Sequence, residues 1–206
     1  MNREGSGREP LTRGSRLLIL ALVQTAVLAA LIGYRQWTLE TGTPVVLAIR
    51  PVDPRSLFQG DYVQLSYEIG HLRIDRLAGD DDLERGETVF VDLQPGRPAW
   101  QATGVWRRRP VAAPTGAVLR GRVDWVAEQQ CEESGTGEST AIVPCRIAGI
   151  HYGIESYFVP EGKGREWERP VEGERIDIRV AVNRAGTPAI SAILVNGQPQ
   201  VEEGLF

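Results

Sequence analysis

Leu17 to Tyr34, LLILALVQTAVLAALIGY, is an uncharged run of eighteen residues interrupted only by Gln24 and Thr25. As an α-helix it spans about 27 Å, enough for the hydrocarbon core of a bilayer. Arg3, Arg8, Arg13 and Arg16 precede it and only Arg35 follows closely, so the excess of basic residues predicts an N-terminus in the cytoplasm and the remainder outside. Tyr34 and Trp37 stand where interfacial aromatics belong. A cleaved signal peptide is the rival reading, with an apolar segment from Leu17 to Val27 and Val27-Leu28-Ala29 as the processing site. Continuation of the apolar run to Gly33 favours a retained anchor. A buried core helix would need a polar stripe that Gln24 and Thr25 do not make.

The expected organisation is a cytoplasmic tail (1–16), a transmembrane helix (17–34), a linker (35–43), an extracytoplasmic domain (44–198) with a subdivision near residue 110 as an option, and a C-terminal tail (199–206). Beyond residue 34 there is no long helical periodicity, and 23 glycines and 13 prolines point to short strands and many turns. The fold class expected is mainly β: an N-terminal transmembrane helix followed by a curved or partly barrel-like antiparallel β domain with one or two short helices. Val89, Val91 and Leu93 alternate, as do Leu119, Gly121, Val123 and Trp125. Trp100, Ala102, Gly104 and Trp106 share a third face, and small glycines beside large tryptophans suit a curved sheet. Arg175 to Asn183 and Ala189 to Val195 read as a hairpin with Ile176, Ile178, Val180 and Val182 inward. Leu72 to Ala78 is compatible with a helical turn or two, as is Arg165 to Arg169.

Residues 1–34 carry a charge of +2 and the whole chain −4, leaving −6 on 35–206. Such an acidic body argues against a nucleic-acid partner, which requires a basic stripe. Cys131 and Cys145 flank a Gly- and Ser-rich loop. In an exported domain a disulfide closing it is the default, stabilising by about 3 kcal/mol.

The most densely specified stretch is Pro51 to Ile69, PVDPRSLFQGDYVQLSYEI, a proline-rich turn feeding a nine-residue strand. Its period of two sets Val63, Leu65, Tyr67 and Ile69 opposite Tyr62, Gln64, Ser66 and Glu68. Gly60-Asp61-Tyr62-x-x-Leu65-x-Tyr67 resembles the signature of the GDYXXLXY family of bacterial membrane-anchored proteins, as does the flanking Pro51-Val52-Asp53-Pro54-Arg55. Tyr152 to Gly162, YGIESYFVPEG, resembles that family's second marked stretch. The resemblance runs from about Val45 to Gly197. It implies a bacterial inner-membrane location and partnership with polytopic membrane proteins, and it brings no catalytic residue.

Asp61 reads most simply as a turn aspartate satisfying backbone donors, and otherwise as a ligand-binding or acid–base carboxylate. Asp61, Tyr62, Tyr67, Glu155, Tyr157 and Glu161 are the candidate partner-binding residues. Leu57-x-x-Gly60-Asp61 also resembles a turn of signal-peptidase-like enzymes. Those enzymes need a serine before the turn and a lysine to activate it, whereas Ser56 lies inside the turn and Lys163 is the only lysine. Asp80, Asp81, Asp82, Glu84 and Glu87 lack the spacing of a calcium loop and read as a solvated loop. His71 and His151 form no zinc pattern. No metal or cofactor is expected. The function expected is a non-catalytic accessory or binding module working with an integral membrane partner. The alternative, an envelope ligand-binding protein or hydrolase, needs Asp61, Glu155 and a tyrosine hydroxyl to converge in one pocket.

Overall fold

Leu, Ala and Val dominate the N-terminal run, and in the computed structural model they form one helix, α1 (Arg13–Thr41). The structure describes residues 13–50, 62–111, 115–134, 140–158 and 175–202. From Leu17 on, the helix is apolar on every side, with the consecutive residues Leu17, Leu18, Ile19 and Leu20 all exposed, which is the surface a lipid phase accepts and water does not. Gly14–Thr41 is long and apolar enough to cross a membrane, and none of its most apolar window is buried within the protein. The helix includes residues 35–41, which the sequence suggested as a linker. Up to Trp37 the chain forms one unit, and Thr38–Phe206 forms a second.

Twelve strands make up the second unit among the described residues. β1 (Thr43–Ala48), β10 (Ile176–Val182), β11 (Pro188–Val195) and β12 (Gln198–Glu202) form a four-stranded antiparallel sheet in the order β1-β10-β11-β12. A six-stranded sheet runs β3-β8-β7-β5-β6-β4, built from β3 (His71–Arg73), β4 (Ala78–Gly79), β5 (Thr88–Gln94), β6 (Gln101–Trp106), β7 (Ala117–Ser134) and β8 (Thr140–His151). β2 (Tyr62–Gln64) pairs with β9 (Ser156–Phe158) alone. Neither large sheet closes on itself, so the domain is mainly β but not a barrel. Val45, Leu47, Ile178 and Val180 from the first sheet and Val89, Val91, Leu93, Leu119 and Val123 from the second join one buried cluster. The alternation expected in β5 and in the β10–β11 hairpin is found.

Two expected faces are broken by β-bulges. Asp92 pairs with Gly104 and Leu93 with Ala102, so Thr103 is an extra residue, held by its hydroxyl to the Asp92 carbonyl at 3.3 Å. Beyond it Val105, rather than Gly104 and Trp106, faces the core, because one inserted residue inverts the alternation. In β7 the pairing skips Asp124. Val123 is buried, Trp125 is 36% exposed and Val126 packs on the core, so Trp125 leaves the face on which its sequence phase would put it.

Leu72 to Ala78 holds a single 3-10 turn (Ile74–Arg76) between β3 and β4 rather than an α-helix. Arg165 to Arg169 lies outside the described residues. The nine-residue strand of the marked stretch is also shorter than expected: β2 ends at Gln64, Tyr67 makes an isolated bridge to Ile49, and a 3-10 turn covers Glu68–Gly70. Leu65, Tyr67 and Ile69 are nevertheless all buried.

Arg107 gathers much of the acidic loop around itself. Its guanidinium contacts the Asp82 carboxylate at 2.5 Å, the Asp82 carbonyl at 2.7 Å and Glu87 at 3.1 Å, while its backbone N–H donates to Asp80 at 2.7 Å. Asp81, Asp82 and Glu84 are exposed, as a solvated loop requires, while Asp80, Asp82 and Glu87 converge on this one cation. The Asp82 carboxyl is held below the usual range, chiefly by Arg107. Glu87 is held down first by the Glu84 N–H and then by Arg107. Lowered folded-state values mean stability that is complete above the unfolded carboxyl range and lost as pH falls through the folded values. Arg107→Gln should therefore lower the melting temperature at pH 7 and flatten its decline below about pH 4, measurable by thermal melts across pH.

Candidate functional site

The two marked stretches, nearly ninety residues apart in sequence, meet in space. Tyr62, Val63 and Gln64 pair antiparallel with Phe158, Tyr157 and Ser156, and the ladder continues through the Leu65 N–H to the Glu155 carbonyl at 2.6 Å. On the other side the Arg50 N–H donates to the Ser66 carbonyl at 2.7 Å, beside the Ile49–Tyr67 bridge. The signature segment thus lies between β1's exit and β9.

Two buried phenols lock this junction reciprocally. The Tyr67 hydroxyl donates to the Ile154 carbonyl at 2.8 Å, and the Tyr152 hydroxyl donates to the Ile69 carbonyl at 2.8 Å. Each stretch supplies one donor and one acceptor, and each bond closes more than eighty residues of chain. The acceptors are available because Ile69 lies in a 3-10 turn and Ile154 outside any strand, so neither carbonyl is consumed by a sheet ladder.

Glu155 holds the second turn. Its carboxylate accepts from the Tyr152 N–H at 2.6 Å and the Gly153 N–H at 2.8 Å, and lies 3.2 Å from His151 Nδ1. Gly153 sits at φ 81°, a left-handed conformation that glycine adopts without penalty and that aims both amides at one carboxylate. This turn also explains why Ile154 and Tyr157, three residues apart, are both buried: the strand begins only at Ser156.

Burial, and second the Glu155 charge, push both tyrosine hydroxyls far above the ordinary phenol range. They remain protonated donors. Raised folded-state values mean that the native state keeps protons which the unfolded chain releases above about pH 10. Stability should be whole below that pH and fall as pH rises beyond it. Alkaline unfolding followed by circular dichroism should show this fall, and Tyr67→Phe with Tyr152→Phe should remove much of it.

Of the candidate residues, Tyr67, Glu155 and Tyr157 come together here, and the Tyr62 backbone joins them in β2. Asp61, Glu161, Ser56 and Lys163 lie outside the described residues. Tyr67 and Glu155 meet as parts of a hydrogen-bonded joint. Tyr152 enters the sequence reading only as the start of the second marked stretch, and His151 only as one of two histidines without a zinc pattern; the YxxxxY spacing of Tyr152 and Tyr157 beside that of Tyr62 and Tyr67 is the hint that places Tyr152 in the joint. Cys131 and Cys145 form the expected disulfide, with Cα atoms 5.8 Å apart. Among the described residues no group of three or more His, Cys, Asp or Glu side chains is arranged to hold a metal ion.

Residues 24–193 match the family model described as GDYXXLXY protein. No curated protein and no solved structure matches the chain.

Proposed function

Given that the chain belongs to the GDYXXLXY family, we propose that it is a single-pass inner-membrane protein whose extracytoplasmic β domain is a non-catalytic accessory module for a polytopic membrane partner. The observation that carries this reading is how the signature is used. Tyr67, Tyr152 and Glu155 spend their polar atoms on main-chain groups of the two marked stretches, so the signature builds a rigid joint. A joint of this kind suits a module that presents a surface.

Placement outside the cytoplasm is supported by the arginines ahead of α1 and by the Cys131–Cys145 disulfide, since such bonds persist in oxidising compartments. The acidic body gives no footing for nucleic acid. Tyr62, Asp61 and Glu161 remain the first residues to vary in search of the partner contact. A hydrolase using Asp61 and Glu155 would have to free Glu155 from the Tyr152 and Gly153 amides.

Crosslinking of the full chain in native membranes, followed by identification of the captured protein, tests the reading. Reproducible recovery of one polytopic membrane protein is expected. Capture of nothing but the chain itself, or release of intact protein by high-pH carbonate, would count against it.

A further inference from the structure

The bulge at Asp124 does more than interrupt a strand. It turns Trp125 onto the face of the six-stranded sheet opposite the core. Trp125 and His71 both pair with Gly149, from β7 and β3 on either side of β8. A Cβ on Gly149 would fall 2.3 to 2.8 Å from indole atoms of Trp125, so the ring rests on bare glycine backbone. His71 leans in from the other side, with ring centroids 5.7 Å apart and a tilt of 59°.

Polar groups share this face of the sheet. His151, two residues along β8 on the same face, lies 4.0 Å from the Asp124 carboxylate, with its Nδ1 toward Glu155. His151 and Asp124 are both about half exposed. The Trp125 indole N–H and the His71 ring nitrogens make no hydrogen bond among the described residues. A lone glycine under an aromatic ring has a plain structural use, covering exposed backbone. That use explains neither the bulge that brings the ring there nor the mixed donors and acceptors around it.

We propose that Trp125, His71, Asp124 and His151 form a binding platform for a neutral, β-linked pyranose oligosaccharide. Such a sugar has flat equatorial faces whose C–H groups stack on an indole, while its hydroxyls both donate and accept. The indole N–H, the imidazoles and the Asp124 carboxylate match those hydroxyls. A cationic ligand fits less well, because it favours several ring faces around one charge and this platform offers a single indole face. An acidic sugar would meet Asp124 and Glu155.

The test uses the full chain in nanodiscs of phosphatidylethanolamine and phosphatidylglycerol, which avoids glycosidic detergents that would compete. Tryptophan fluorescence is followed during titration with chitotriose and with cellotriose, with tetramethylammonium as the cation arm. Saturable change with at least one sugar is expected. Trp125→Ala should weaken it about tenfold or more, and Asp124→Asn should weaken it less, with both variants melting like the wild type. Gly149→Ala, which pushes the indole off its seat, should also weaken it. No saturable change with either sugar, equal binding by a normally folded Trp125→Ala variant, or saturation by tetramethylammonium alone would overturn the proposal.

Discussion

Tyr67→Ala is expected to destabilise the β domain by about 4 kcal/mol or more. Deleting a buried aromatic ring costs roughly 3–5 kcal/mol, and Tyr67 is only 2% exposed. Loss of the hydroxyl also leaves the Ile154 carbonyl without its donor, a further penalty of about 1–3 kcal/mol if water does not reach it. Against a whole-domain stability of roughly 5–15 kcal/mol, that removes between about a quarter and most of the folding free energy. Tyr67→Phe keeps the ring and should cost only the hydrogen-bond part. Urea unfolding of the two variants separates the contributions. Equal losses would mean that the hydroxyl carries the whole effect, and no loss in either would mean that the joint does not hold the domain.

Removing the disulfide with Cys131→Ser and Cys145→Ser is expected to cost about 3 kcal/mol, the chain-entropy value for a loop of this size at a sequence separation of 14. The effect should concentrate in one place. β7 and β8 pair with each other from Arg122–His151 out to Ser134–Thr140, whereas β5 flanks β7 only through Arg122 and β3 flanks β8 only at 147–149. Residues 128–134 and 140–146 therefore form a two-stranded arm with no further strand beside it among the described residues. An isolated two-stranded ribbon is marginal in water. Besides the disulfide, the arm is tied by an Arg76–Glu133 ion pair and by the Arg146 N–H donating to Asp75 at 3.2 Å. Amide exchange in the arm should accelerate on reduction well before exchange at Val89 or Val91 does. If thiol reagents labelled both cysteines in unreduced protein taken from cells, the oxidising placement of the domain would be contradicted.

Wherever one strand decides its own phase, the sequence was readable. Val89, Val91 and Leu93 face the core as their alternation requires, and Ile178, Val180 and Val182 do so beside the β10–β11 turn. The helix was legible because apolarity on all sides has few structural solutions. Trp106 and Trp125 were misassigned because a single unpaired residue, Thr103 or Asp124, inverts everything after it, and nothing local marks that residue. Gly149 was the available signal for Trp125, but it lies on another strand.

The joint itself was half legible. Both marked stretches stood out as sequence, yet their contact depends on carbonyls of Ile69 and Ile154, and every residue type has a carbonyl. Treating Tyr67 as part of a continuous strand hid the turn at 68–70 that frees the Ile69 acceptor. Glu155 invited an acid–base role from its residue type alone; its fold-level role follows from Gly153 and the two amides it caps. Arg107 drew no notice within a run of three arginines, and its significance lies in Asp80, Asp82 and Glu87 reaching it from other segments.

The most direct measurement is a double-mutant cycle of unfolding free energy on Tyr67→Phe and Tyr152→Phe, read together with membrane crosslinking. If the signature is a joint, each single change costs about 1–3 kcal/mol, the pair couples by roughly 0.5 kcal/mol or more, and partner capture falls only as far as folding does. Wild-type stability in all three variants, with partner capture lost, would contradict it and make the two tyrosines a contact surface instead.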